Sequence, residues 1–81
     1  MTDFDDVVME IFHELTIEVP GPDVDMIETG LLDSLALVTL MYELEQRCGI
    51  SIPFERLEVD DFRTVRSIAR LAKALQREAT G

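Results

Sequence analysis

Apolar residues recurring at helical spacing do most to restrict what this chain can become. Phe4, Val7, Val8, Ile11, Phe12 and Leu15 fall at i, i+3, i+4, i+7, i+8 and i+11, the stripe an amphipathic helix turns toward a core. Thr2 with Asp5 supplies a capping-box-like start. This first helix is predicted to end near Thr16, because Val19-Pro20-Gly21-Pro22 removes backbone donors and favours turns, and no period resumes before Leu31. Residues 17–33 are therefore read as a long loop. Its Val24, Met26, Ile27, Leu31 and Leu32 suggest that it packs over the helices, and loops longer than about 12 to 15 residues in a compact domain tend to be functional or disordered.

A second helix is predicted from about Ser34 to Cys48, where Gly49 provides the stop. Leu37, Leu40, Met41, Leu44 and Cys48 form its main stripe, and Leu35, Val38 and Tyr42 form a second. The extended piece Ile50-Ser51-Ile52-Pro53 leads to a weak helical turn near Glu55 to Asp61. Thr64 is then the N-cap of a last helix with Val65, Ile68, Ala69, Ala72 and Leu75 on one face. The expected fold is all-α, three main helices and a short third one in chain order, around one core. At 81 residues the chain has room for a single domain, residues 1–81.

Charge narrows the function. The net charge of −10 would repel a nucleic-acid backbone and an anionic membrane surface. The acidic N-terminus lacks the positive region of a signal peptide, and no apolar run approaches the ~20 residues of a membrane span. No membrane insertion and a cytoplasmic location are expected. One cysteine, Cys48, rules out an internal disulfide and a Cys-based zinc site, and the single His13 adds no second ligand. Cys48 continues a helical stripe and reads as a small core residue, His13 as a solvated one. Asp23-Val24-Asp25-Met26 raises the thought of calcium, but a loop starting at Asp23 would need glycine where Glu28 stands and glutamate where Ser34 stands.

Sixteen of the seventeen acids lie in residues 1–62, whereas five of the seven bases lie in residues 63–81. Arg63, Arg66, Arg70, Lys73 and Arg77 fall roughly opposite the apolar stripe of the last helix. They form either a solvated face, offset by Asp6, Glu10 and Glu14 of helix one, or a face that recruits an acidic region of a partner.

The segment Thr29-Gly30-Leu31-Leu32-Asp33-Ser34-Leu35 ends a loop with a serine at a helix N-terminus, where unpaired N–H groups and the helix dipole favour an anion. Local chemistry alone also allows Asp33-Ser34 to be a plain capping pair. Ser34 has no residue placed to act as its base, and Gly-x-Ser-x-Gly is absent. No catalytic residue is assigned, and the chain is not read as an enzyme.

Here the sequence resembles the acyl carrier and peptidyl carrier family, whose Asp-Ser-Leu motif opens the second helix of a four-helix bundle. Asp33-Ser34-Leu35 matches it, and the likeness continues through Leu40, Leu44-Glu45, Gly49-Ile50, Ile52-Pro53 and Phe62-Arg63-Thr64-Val65. The resemblance implies a four-helix bundle of acyl-carrier type. It also implies that Ser34 carries 4′-phosphopantetheine, transferred from coenzyme A by a phosphopantetheinyl transferase, and that acyl groups ride on the arm as thioesters. The other implied partners are an acyl- or aminoacyl-loading ligase and a downstream acyltransferase or condensing enzyme, with the carrier a monomer.

Asp33 either caps helix two or meets a cation on the transferase. Leu35, Val38 and Tyr42 are either buried under the 17–33 loop or, as the resemblance implies, part of a docking surface with Asp33. Carriers of fatty acid synthesis place acids after the motif, whereas here Ala36-Leu37-Val38-Thr39 follow. Together with Asp60-Asp61-Phe62-Arg63-Thr64-Val65, this looks more like free-standing carriers of aminoacyl, D-alanyl or hydroxyacyl-type units, with polyketide or nonribosomal peptide biosynthesis the expected setting. The competing reading is a small acidic helical interaction module without a prosthetic group.

Overall fold

The computed structural model describes residues 4–53, 55 and 57–80. Thr2, the expected capping partner of Asp5, and residue 56 of the expected helical turn lie outside them. The described residues form three α-helices: α1 (Phe4–Glu14), α2 (Ser34–Cys48) and α3 (Val65–Thr80). There is no strand among the described residues.

Each helix buries the stripe its spacing predicts. Val8, Ile11 and Phe12 of α1 meet Ile68, Ala69, Ala72 and Leu75 of α3, and Leu40, Met41 and Leu44 of α2 close the core. Ile50 and Ile52 are buried on either side of the exposed Ser51, as an extended segment with one face inward requires. From the long loop, Met26 and Leu32 are buried in the same core. The loop does pack over the helices.

Where a short helical turn is expected near residues 55–61, the described residues show Glu55 in 3-10 conformation and one turn of 3-10 helix over Val59–Phe62. Phe62 is buried but Val59 is exposed, so the turn itself has one apolar anchor. The turn is closed locally instead. The Glu58 N–H donates to Asp61 Oδ2 at 3.1 Å and the Asp61 N–H to the Glu58 carbonyl at 3.0 Å. Thr64 then caps α3 as expected, with a partner the sequence did not announce. The Ser67 N–H donates to Thr64 Oγ1 at 3.0 Å while the Thr64 N–H donates to Ser67 Oγ at 3.1 Å, so Ser67 takes the place glutamate holds in a capping box.

Two helices end in left-handed backbone. Gly49 closes α2 with φ 64° and donates its N–H to the Glu45 carbonyl at 3.1 Å, a conformation open to glycine at no steric cost. Thr16 closes α1 with φ 60°. The Thr16 N–H donates to the His13 carbonyl and the Ile17 N–H to the Phe12 carbonyl, the paired bonds of a Schellman end. A β-branched residue is strained in this region, and the carbonyls it satisfies together with the apolar Ile17 that follows offset that strain.

Candidate functional site

Ser34 is the first residue of α2 and is exposed. What holds it there begins with Asp33. This residue has extended backbone, and its Oδ1 accepts the Ala36 N–H at 2.8 Å while its carbonyl accepts the Leu37 N–H at 2.9 Å. Of the two roles considered for Asp33, the cap is the one the geometry displays, and it substitutes for a helical partner of a first-turn amide. The first turn of α2 holds no acidic residue, so an anion on Ser34 Oγ would meet the positive end of the helix dipole with no first-turn carboxylate beyond the cap opposing it. The residues present fit a phosphodiester.

The second stripe of α2 is not covered by the loop. Leu35 is 77%, Val38 63% and Tyr42 58% exposed. They lie within about 60° of arc on a 3.6-residue helix, next to Ser34, and make an apolar ridge leading away from it.

The loop before α2 is fastened to the start of α3. The Met26 N–H donates to the Arg63 carbonyl at 2.6 Å and the Arg66 N–H to the Pro22 carbonyl at 3.0 Å. Side chains repeat the attachment. Arg63 Nη1 lies 3.2 Å from Asp25 Oδ2, and Arg66 grips both oxygens of Asp23 through Nε at 2.7 Å and Nη2 at 3.3 Å. Asp25 Oδ1 meanwhile accepts the N–H groups of Ile27 and Glu28 at 3.1 and 2.9 Å. That contact with Glu28, aided by the Arg63 charge, holds its carboxyl below the ordinary value. The arginines shift the other way: Asp60 raises Arg63, and Asp23 raises Arg66.

Arg63 and Arg66 of the basic face thus find their nearest acids in the loop and the 3-10 turn, while Asp5 of α1 adds its charge at Arg66. Glu10 and Glu14 of α1 are met by Arg47 of α2, which also pairs with Glu43 at 3.1 Å. Asp23 and Asp25, the acids that raised the thought of calcium, are paired with arginines. Among the described residues no group of three or more His, Cys, Asp or Glu side chains could hold a metal ion. The clip escaped the sequence reading, although the alternate acids of Asp23-Val24-Asp25 and the i, i+3 arginines of Arg63 and Arg66 were its visible halves.

His13 is exposed and lines an apolar groove with Met9, Phe12, Ile17, Glu18, Val19 and Pro20, a lining that does not include Ser34. Cys48 is a free, half-buried thiol whose pKa is pushed up by burial.

Residues 6–72 match the family described as phosphopantetheine attachment site. A D-alanyl carrier protein of Listeria monocytogenes is 33% identical over 76 residues, covering 90% of this chain and 97% of the relative. A D-alanyl carrier protein of Latilactobacillus sakei is 35% identical over 77 residues, covering 91% and 99%. A third, from Bacillus velezensis, is 35% identical over 63 residues, covering 78% and 80%.

Proposed function

This chain belongs to the phosphopantetheine attachment family, and from that premise we propose that its 4′-phosphopantetheine arm is joined to Ser34 and holds an aminoacyl group, D-alanine before others. The observation that carries the reading is the exposed Ser34 hydroxyl at the capped start of α2, inside the matched segment. When bound, the arm supplies a terminal thiol on which the cargo forms a thioester. The chain's own contribution is to present the hydroxyl, accommodate the phosphodiester charge at a helix N-terminus, and offer a surface to the enzymes that load and unload it. It is a carrier and performs no catalysis itself.

The D-alanyl relatives favour an aminoacyl cargo, and the polyketide or nonribosomal setting expected from the sequence gains no support from them. The working set is then a phosphopantetheinyl transferase, a ligase that activates the amino acid, and an acyltransferase that removes it. The exposed ridge of Leu35, Val38 and Tyr42, bordered by the Asp33 carboxylate, is the docking surface in this reading, and apolar contact there does what acidic residues do elsewhere in the family. Residues 1–81 act as one carrier domain, since the matched segment runs from α1 into α3. No helix among the described residues is long and apolar enough to cross a membrane.

The test is intact mass after incubation with coenzyme A and a phosphopantetheinyl transferase, with peptide mapping. One phosphopantetheinyl group on Ser34 is expected, followed by hydroxylamine-labile D-alanine once a D-alanine-activating ligase and ATP are added. Modification elsewhere would overturn the site. Loading of another acid in preference to D-alanine would overturn the cargo.

A further inference from the structure

Ser34 lies at the end of a relay of contacts that begins 29 residues later in the chain. Arg63 sits between the 3-10 turn and α3, its Nε 2.5 Å from Asp60 Oδ1 and its Nη1 3.2 Å from Asp25 Oδ2. The free rotation of Asp25 is removed by that contact, and its other oxygen holds the amides of Ile27 and Glu28. Its carbonyl accepts both the Thr29 N–H at 3.1 Å and Thr29 Oγ1 at 2.8 Å, and the Gly30 N–H donates to Ile27. Asp25 therefore organises a single tight turn. The Leu32 N–H then returns to the Met26 carbonyl at 3.0 Å, which sets where the chain enters Asp33 and Ser34.

We propose that Arg63 is a positioning residue for Ser34, acting through Asp25 and the turn that Asp25 caps. This rests on the reading of Ser34 as the attachment site and adds to it the group that fixes where the hydroxyl stands. Arg63 and Asp25 are 39% and 30% exposed, and ion pairs so open to solvent contribute little to stability. Their geometric effect is larger than their energetic one. Both groups belong to segments without regular helix, and without the pair the turn keeps the amide bonds of Asp25 but loses the side-chain tie that sets its orientation to α3. The backbone tie from Met26 to the Arg63 carbonyl survives any side-chain change, so a variant at position 63 should loosen the entry to α2 without releasing the loop.

The experiment measures kcat and KM for phosphopantetheinylation of the full chain by intact mass, alongside amide hydrogen exchange. Asp25→Asn keeps an oxygen for the Ile27 and Glu28 amides and removes only the charge that Arg63 meets. Arg63→Gln removes the other partner. Both are expected to lower kcat about tenfold, within the roughly hundredfold that a 1 Å misplacement can cost. KM should be unchanged, because Leu35, Val38 and Tyr42 are untouched, and exchange at the Leu32 amide should be faster. Arg63→Lys should recover part of the rate, and Asp60→Asn should leave it near that of the unmodified sequence. If Arg63→Gln fails to fold, Asp25→Asn carries the comparison. Wild-type kcat in Asp25→Asn, a lowered kcat with unchanged exchange at Leu32, or an equal loss in Asp60→Asn would each overturn the route through Asp25. An unmutated chain that gains no phosphopantetheine on Ser34 would instead overturn the attachment-site reading, and this inference with it.

Discussion

α2 and α3 are almost equal in length, yet they treat their apolar residues differently. α3 buries Val65, Ile68, Ala69, Ala72 and Leu75 in one stripe and turns Arg70 and Lys73 outward. α2 buries Leu40, Met41 and Leu44 and also leaves Leu35, Val38 and Tyr42 in solvent. Burial of large apolar side chains stabilises a fold by about 1.5 to 3 kcal/mol each, so the exposed ridge forgoes a gain that the fold could have taken. Isolated exposed apolar residues need no explanation. Three on one helix face beside Ser34 form a contiguous exposed apolar patch, which is what the proposed docking role requires.

The sharpest test of the difference is at its edge. Ser34→Ala should abolish phosphopantetheinylation, read by intact mass, while the helical circular dichroism stays as it was. Next in size are the buried residues: Leu40→Ala and Leu44→Ala should cost about 2 to 5 kcal/mol in urea unfolding, as core cavities do. Leu35→Ala and Tyr42→Ala should alter stability by no more than about 0.5 kcal/mol and raise KM for loading roughly tenfold, the size of a modest interface hot spot. Equal destabilisation at both sets would remove the distinction between the two faces of α2.

A change at the end of α1 separates stability from loading in the opposite sense. Thr16→Gly relieves the left-handed strain at that helix end and should add about 1 kcal/mol, with loading kinetics unaltered. The smallest effect belongs to the junction of the loop with α3. Asp25 is held below its ordinary value near 3.8, so its contribution is complete above that value and is lost as pH falls through the lower folded-state value. Asp25→Asn should therefore lower the urea midpoint slightly at neutral pH, where that contribution is complete, and flatten the acid limb so that the two stability–pH curves converge below about pH 4.

Much of this was legible because it repeats. The three buried stripes, the Gly49 stop and the two faces of α2 all follow from the 3.6-residue period, which acts within one segment. The bounds of the 3-10 turn were harder to read because Phe62 is its one buried residue, and a single anchor has no period. The clip could not be read because the pairs Asp25–Arg63 and Asp23–Arg66 join residues 38 and 43 apart. A count of charges says how many acids are available but not which of them the fold brings to an arginine. Glu10 and Glu14 have the helical spacing to face a basic stripe, yet the arginine that reaches them is Arg47 of α2. The capped helix start at Asp33-Ser34 was legible, because sequence order and spatial order coincide there, whereas the contacts that fasten the preceding loop to α3 were not.

The half-buried Cys48 bears on how faithfully cargo is kept. Thiol–thioester exchange runs through the thiolate, and a thiol whose pKa burial has raised holds little of it near neutral pH. An aminoacyl group on the flexible arm is thus poorly exposed to capture by the carrier's own sulfur. A solvated arm thiol of ordinary pKa would be the faster target for a maleimide or disulfide reagent, so brief labelling at neutral pH should count unloaded arms in a mixed population while Cys48 stays largely silent.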